Sequence, residues 1–434
     1  MVENPRVKVA ITGAGIAGLA LAAGLVKKPH LDVHVYEGVP AFRDVGAGLA
    51  LHLNAIKAMA LIGPEVKQAY FDKALTMGDE DQVMVTEVIL AQGAHTGQSV
   101  AELGKAKGRK TVSRADLLDG FLALIPKECV TFGKRLVQID EAHHGVTLTF
   151  EDGTEATADC LLGADGVHSV TRNYLLGANH PAAPPKNHDG WQIYRTMVTT
   201  EEARAQINPK WTTSVPILLG PRGHINCIPL NKNTRLSAGV AVRGAVFSAV
   251  DGRAPALDPA LYADYSEEAQ EIVRMVAKDT SASWTAADHD HAPYYAKGRV
   301  AMFGDAAHAS LPFAGNGAAQ ALEDAAVLDY LFGFVEQPEQ IERALQAFDE
   351  VRRPRSQAVV DLARKFGRVY AYAEDGMHED PTRMKIFFAE MAAFTNEFNV
   401  KGQNELALKM FLGMDGVNGI NGDLNEKVNG ALKN

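Results

Sequence analysis

The stretch that most limits what this chain can fold into lies near its start. There the apolar run Val7-Lys8-Val9-Ala10-Ile11-Thr12 enters Gly13-Ala14-Gly15-Ile16-Ala17-Gly18 and then an alanine- and leucine-rich segment. Read as a strand, a glycine turn and a helix, the run gives each glycine its own role. Gly13 permits the tight turn, Gly15 lets backbone approach a pyrophosphate, and Gly18 lets the helix pack on the strand, so that the helix N-terminus can hold phosphate. A second strand, Val33-His34-Val35-Tyr36, delivers Glu37 about 20 residues after the glycines, where a carboxylate accepts a hydrogen bond from a ribose hydroxyl. The combination predicts a bound adenine dinucleotide. Glu37 argues against NADP here, because a carboxylate would repel its 2′-phosphate.

A chain of 434 residues can bury a large core and is expected to form two or three lobes. With 47% hydrophobic and 22% charged residues it has the composition of an ordinary globular protein, and a net charge of -10 speaks against nucleic acid or an anionic membrane as partner. Cys129, Cys160 and Cys227 have no metal spacing and fit a reducing compartment. The N-terminal residues carry an acid and a proline and do not read as a secretory leader, and the longest apolar stretch, Ile16 to Val26, is too short to span a bilayer. The expectation is a cytoplasmic protein with no integral membrane segment, a monomer or homodimer. The 14 histidines, including the run Asp-His-Asp-His at 288–291, form no spaced metal site, so no metal is expected.

Further along, Phe42 to Leu51 is a glycine-punctuated approach to a short strand, followed by a helix from about Asn54. Residues 80–110 read as an irregular hairpin, and Ser113 as the N-cap of a helix whose apolar face is Leu117, Leu118, Phe121 and Leu122. Val130 to Leu162 alternates as strands with a turn at Glu151-Asp152-Gly153, ending in Gly163-Ala164-Asp165-Gly166. From Pro181 the character changes. The β-like runs Trp191–Val198, Ser214–Leu219, His224–Pro229 and Arg235–Val242, with one helix near Glu267–Lys278, suggest a separate sheet-bearing lobe. A buried strand at Arg299–Phe303 then leads into Gly304-Asp305-Ala306-Ala307-His308, Pro312 and a helix with a glycine-rich N-terminus at Gly317-Ala318. The C-terminal third reads as helical, with Phe348-Asp349-Glu350-Val351-Arg352-Arg353-Pro354 between two amphipathic runs and a Gly- and Asn-rich end expected to be poorly ordered.

Three motifs, in this order and at this separation, resemble those of the FAD-dependent single-component aromatic hydroxylases related to para-hydroxybenzoate hydroxylase and salicylate hydroxylase, over roughly residues 6–375. They are Gly13-x-Gly15-x-x-Gly18 with Glu37, Gly163-Ala164-Asp165-Gly166 with Ser169 and Arg172, and Gly304-Asp305-Ala306-Ala307-His308 with Pro312. The resemblance implies an α/β fold: a Rossmann-like FAD-binding domain with an inserted β-sheet substrate domain and C-terminal helices. The expected boundaries are 1–180 and 289–375 for the FAD-binding domain, with some substrate-lobe strands within 75–110, then 181–288 for the substrate lobe and 376–434 for a helical tail. It further implies that Asp305 accepts from the ribityl chain, that the N–H groups of Gly317 and Ala318 face the flavin pyrimidine edge, and that Arg114 contacts the FAD phosphates and ribose. Asp165 and Gly166 would lie near the pyrophosphate, and Ala50 would offer a backbone contact beside the flavin. On the residues alone, Arg114 also reads as a helix-start salt bridge and Asp165 as a turn-capping acid.

Only one dinucleotide fingerprint is present, so NAD(P)H is expected as a transient co-substrate rather than a resident. The resemblance implies a cycle in which hydride reduces the flavin, oxygen adds at C4a, and the hydroperoxide attacks an electron-rich ring from which water is excluded. In Trp191-Gln192-Ile193-Tyr194-Arg195, Arg195 is the first choice for the substrate cation, holding a carboxylate or stabilising a phenolate, against the plainer reading of a strand arginine paired to a surface acid. Thr196 stands where relatives have glycine. His224 and Arg222 are lesser candidates, Pro312 shapes the pocket wall, and His308 reads as fixing the turn that carries Asp305. The expected reaction is hydroxylation of a small phenolic aromatic with O2, most specifically decarboxylative hydroxylation of salicylate to catechol. The alternatives are a fungal-type polyketide phenol without decarboxylation and a non-enzymatic flavin-fold escort protein.

Overall fold

The computed structural model describes residues 6–42, 48–74, 83–107, 110–231, 233–248 and 254–413. The chain begins as read: β1 (Val7–Thr12), α1 (Ile16–Leu25) and β2 (Leu31–Glu37), with β1 and β2 parallel and Val9 opposite Val33. Helix α1 is apolar all round and buried from Ala17 to Leu25, as a helix must be when sheet lies under one side and other helices over the rest. A short β3 (Gly48–Ala50) follows, then α2 (Leu53–Ile62), α3 (Pro64–Lys73) and the hairpin β4 (Val83–Leu90) and β5 (Ser99–Lys107). Next, β6 (Thr111–Ser113) pairs back on β3, setting Ala50 opposite Thr111, and α4 (Arg114–Leu122) starts from Ser113, whose Oγ accepts from Asp116 N–H.

The chain returns to β2 as β7 (Val130–Phe132). It then forms a three-stranded antiparallel meander of β8 (Leu136–Ala142), β9 (Gly145–Phe150) and β10 (Glu155–Ala158), and re-enters the first sheet as β11 (Cys160–Gly163) before α5 (Val170–Leu176). An excursion follows through β12 (Gln192–Thr199), α6 (Thr200–Arg204), β13 (Val215–Gly220), β14 (Gly223–Leu230), β15 (Arg235–Val242), α7 (Glu267–Ala277) and β16 (Trp284–Thr285). Finally β17 (Ala296–Lys297) and β18 (Val300–Met302) precede α8 (Asp305–His308), α9 (Gly317–Phe332), α10 (Ile341–Tyr370), α11 (Pro381–Asn396) and α12 (Val400–Leu412).

Two sheets dominate. The first runs β17-β18-β11-β1-β2-β7, parallel except at its β17 edge; the second runs β16-β12-β15-β14-β13-β4-β5, antiparallel except where β13 lies parallel to β4. The hairpin within residues 80–110, irregular as expected with register shifts at Met84/Thr86 and Val88/Ile89, is part of the second sheet, although it precedes the excursion by about a hundred residues of chain. One face of that sheet packs on α7 through Tyr194, Leu218, Ile225, Cys227, Leu236, Ala238 and Val240. The other turns toward Phe313, α10 and α11.

The two amphipathic runs flanking Phe348 to Pro354 are one helix: α10 is continuous from Ile341 to Tyr370 with Pro354 inside it. An interior proline costs a helix about 3 kcal/mol, and here buried Arg352 and Arg355, on either side of it, bind acids on α9 and hold the helix together across the break. The end expected to be poorly ordered, 414–434, lies outside the described residues, as do 43–47 of the glycine-punctuated run.

Candidate functional site

The three motifs meet at one place because the parallel strands carrying them are neighbours: β1, β11 and β18 end side by side, with Thr12 opposite Gly163 and Gly163 opposite Met302. Loops after adjacent parallel strands open on the same edge of the sheet, where α/β folds bind ligands. The glycines divide the work. A Cβ at Gly13, whose φ is +95°, would lie 2.2 Å from Ala164 O, and one at Gly18 would lie 2.0 Å from Gly13 O, so both are demanded by the protein's own packing. At Gly15 the nearest atom to such a Cβ is Arg114 Nη2, 3.9 Å away. The fold does not need a glycine there, and the backbone stays open to approach.

Around that opening stand polar groups with bonding capacity to spare. Arg114 is exposed and, among the described residues, makes no ion pair, so the helix-start salt bridge does not form. Asp305, first residue of α8, is exposed between buried neighbours and its carboxylate has no hydrogen bond among the described residues. Helix α9 starts at Gly317 with no side-chain cap from Asn316, leaving first-turn N–H groups at Gly317 and Ala318 aimed outward with the positive end of the helix dipole. Glu37 accepts from the N–H groups of Ala14 (2.6 Å) and Val39 (2.9 Å), which locks the glycine turn and leaves carboxylate lone pairs for a further donor. One cation and several N–H groups around this opening, with acids placed for hydroxyls, suit a dinucleotide bearing a pyrophosphate and polyol chains.

Asp165 works differently. Its carboxylate accepts from Ser169 Oγ (2.5 Å), Thr171 N–H (2.9 Å) and Thr171 Oγ1 (3.2 Å), the turn-capping arrangement, and burial pushes its carboxyl above the ordinary range although these bonds oppose the shift. What the segment presents to Gly13 is backbone, and beyond it Gly166 has φ +80° and open space around it. Arg172 in the same motif is fully buried and donates to Ala306 O (3.1 Å) and Ala307 O (2.7 Å), tying the second motif to the turn that carries Asp305.

Behind that turn lies a network that the sequence reading missed. Asp324 on α9 accepts from Gly304 N–H (2.8 Å) and Arg352 Nε (2.6 Å), and pairs with His308 Nε2 at 2.6 Å. Arg352 also donates to Glu323 (2.6 Å) and Gln403 (2.8 Å), while Arg355 and Asn54 converge on Glu323. Burial alone would raise the Asp324 carboxyl, but His308 and Arg352 outweigh it and hold it below its usual value. The available signal was two acids, Glu323-Asp324, in a helix otherwise apolar at those positions.

On the second sheet, pairing register brings Arg195 of β12 opposite Gly239 of β15, and Gly239 opposite Asn226 of β14; His224 lies one row away, opposite Ala241. Directly paired residues point to the same face. Arg195, Asn226 and His224 therefore share the face that turns away from α7, and along β14 burial alternates: Gly223, Ile225 and Cys227 are buried, whereas His224, Asn226 and Ile228 are only half-buried. Among the described residues Arg195 has no acid partner. Its guanidinium stacks on Trp284 at 4.6 Å, its buried Nε has no hydrogen bond, and burial pulls its pKa down to about 10. The strand arginine paired to a surface acid is not what the fold builds.

His224 is edge-on to Phe313 at 5.2 Å and 5.0 Å from Tyr370. Its Nδ1 is buried without a partner, and burial pulls its pKa down to about 3, so the ring is neutral. Phe313 and exposed Pro312 form one turn, which joins the wall beside His224 to the start of α9. At the far end of β14, Thr111 Oγ1 donates to Pro229 O (2.6 Å), pinning the strip that carries Ala50 and leading to Arg114. Arg222 is not brought in: it donates to Leu261 O (2.8 Å), away from this face. In the run at 288–291, Asp288 and Asp290 are engaged by Arg364, Lys186 and His188.

Residues 126–363 match the FAD binding domain family. A 6-methylsalicylate 1-monooxygenase of Aspergillus terreus is 35% identical over 421 residues, 95% of this chain and 94% of its own. A salicylate hydroxylase of Pseudomonas putida is 32% identical over 383 residues, 85% and 86% of the two chains. A solved salicylate hydroxylase substrate complex has the same architecture, with a TM-score of 0.79 and 29% identity over 93% of this chain and 98% of that one. No helix among the described residues is long and apolar enough to cross a membrane. The chain belongs to the FAD binding domain family and is an FAD-dependent aromatic monooxygenase of the salicylate hydroxylase type.

Proposed function

We propose that this enzyme hydroxylates a salicylate-type phenolic acid at the ring carbon bearing the carboxylate, using NAD(P)H and O2 and releasing CO2 and a catechol. One oxygen atom enters the ring and the other leaves as water, with the nicotinamide supplying the two electrons. The observation that carries this reading is Arg195, a charged side chain on a half-open sheet face with no acid partner among the described residues. A buried unpaired charge is costly, and a substrate carboxylate relieves it. Both named relatives act on salicylates by name, and monooxygenation at position 1 of 6-methylsalicylate is attack at the carboxylate-bearing carbon.

In this reading FAD lies along the cleft lined by Gly13, Gly15 and Gly18, with Glu37 on its ribose, Arg114 and the Asp165-Gly166 turn near its pyrophosphate, and Asp305 on its ribityl chain. The N–H groups of Gly317 and Ala318, with Ala50 opposite, attend the ring system. Bound FAD supplies the redox chemistry, accepting a hydride from NAD(P)H and delivering an oxygen atom derived from O2. Arg195 orients the carboxylate and, as a fixed cation, lowers the pKa of the adjacent phenol. Neutral His224 offers Nδ1 as a hydrogen-bond acceptor, and Pro312 with Phe313 closes the wall that keeps water out.

The test is turnover of purified holoenzyme with salicylate and with 6-methylsalicylate, following NADH and NADPH oxidation and the aromatic product by chromatography. Stoichiometric catechol and CO2 support the reading. A hydroxylated product that keeps its carboxylate, or turnover confined to phenols lacking one, overturns it in favour of a polyketide-type phenol.

A further inference from the structure

Arg195 is not the only unengaged polar group on its row. Asn226 stands on the same face two strands away, about 10 Å at the usual strand spacing, and among the described residues its side-chain amide makes no hydrogen bond. Between them lies Gly239, and a Cβ placed there would meet Asn226 Oδ1 at 2.7 Å. The amide thus leans over the glycine toward Arg195, into a notch that any larger residue would fill. Its outward neighbours on β14, His224 and Ile228, are half-buried like Asn226 itself, so the notch belongs to the open part of the face.

We propose that Asn226 is a specificity-determining residue: across the Gly239 notch its amide oxygen accepts the O–H of a hydroxyl ortho to the carboxylate held by Arg195, so that the site selects 2-hydroxybenzoates over ring acids lacking that hydroxyl. The inference rests on the carboxylate reading of Arg195 given above and adds the second point of recognition. Two groups on adjacent ring carbons require two protein groups on one face, and the register sets Arg195 and Asn226 in one row with only a glycine between them.

The experiment measures dissociation constants of the FAD-loaded enzyme for 2-hydroxybenzoate and for benzoate from the flavin absorbance change, in wild type, Asn226→Leu and Gly239→Ala. Loss of one hydrogen bond to the bound ligand predicts that Asn226→Leu weakens 2-hydroxybenzoate about tenfold and benzoate less than about twofold, erasing the preference. Gly239→Ala, which displaces the amide, erases it too. A purely structural role would weaken both ligands equally, and an unchanged ratio of the two constants in both variants overturns the assignment while leaving the hydroxylase reading intact. If wild type holds benzoate as tightly as 2-hydroxybenzoate yet produces catechol from the latter, Asn226 is likewise removed from recognition. A wild type that binds neither and oxidises no NAD(P)H with either removes both readings together.

Discussion

Replacing Arg195 with methionine should make the protein more stable and its substrate binding worse, a pairing of signs that follows from the missing acid. The fall of the guanidinium pKa from 12.5 to about 10, at about 1.36 kcal/mol per pKa unit, puts the cost of keeping that charge buried on the order of 3 kcal/mol. Stacking on Trp284 offsets about 1–2 kcal/mol of it. Methionine fills much of the same volume without charge, so the ligand-free variant should gain roughly 1–2 kcal/mol. With an unfolding entropy of about 2.1 cal/mol/K per residue, a chain of 434 residues changes by roughly 0.9 kcal/mol per degree, and the gain becomes a rise in Tm of about 1–2 °C. Binding moves the other way. A charge-assisted hydrogen bond to a carboxylate contributes about 1.5–3 kcal/mol, so the dissociation constant for a carboxylated phenol should rise about 10- to 150-fold. Thermal scans of FAD-loaded protein with and without salicylate read both effects, since a bound ligand raises Tm in proportion to its affinity. A variant that melts lower and binds salicylate like the wild type would show that Arg195 is a structural strand residue.

The glycine turn gives a contrast within one motif: Gly15→Ala should leave the apoprotein's Tm within about 1 °C but weaken FAD, because its Cβ meets only Arg114, whereas Gly13→Ala and Gly18→Ala should fail to fold stably against atoms at 2.2 and 2.0 Å; equal Tm losses in all three, seen by calorimetry, would refute the division of roles. Asp324→Asn keeps the shape of a buried residue but leaves Arg352 and His308 without their anion, and since breaking a buried ion pair costs about 3–5 kcal/mol, Tm should fall by about 3–5 °C with looser FAD retention on a desalting column. An unchanged Tm would mean the network contributes nothing net. His224 has a folded pKa depressed to about 3, so its contribution is fully present above the unfolded value near 6.5 and is lost as pH falls from there toward 3. Urea midpoints should therefore drop less between pH 7 and pH 5 in His224→Phe than in wild type, and parallel pH profiles would place His224 in solvent instead.

What the residues announced in advance, and what they concealed, divides along the range of the interactions involved. Gly13, Gly15 and Gly18 could be read because a strand, a turn and a helix are set by neighbours in sequence, and the runs that became β12, β13, β14, β15 and α7 showed their periods within a dozen residues. Pro354 shows the limit of such local rules: by itself it disfavours a helix, and the distant acids that Arg352 and Arg355 find on α9 support α10 through it. Arg195 could be named but not understood, since its candidacy depends on having no acid beside it among the described residues, which no local pattern encodes. Asn226 lay in plain view in the alternation His224-Ile225-Asn226-Cys227, polar on one face and apolar on the other, yet its significance depends on Gly239, which meets it only through the β14 and β15 register. The same distinction bears on where relatives can diverge. Gly13, Gly18, Asp324 and Arg352 answer to many partners each, so changing one forces others to change. On the proposed reading Arg195, Gly239 and Asn226 answer mainly to a small molecule, so a change of ring substituent could be met by replacing one or two of them while both sheets stay as they are.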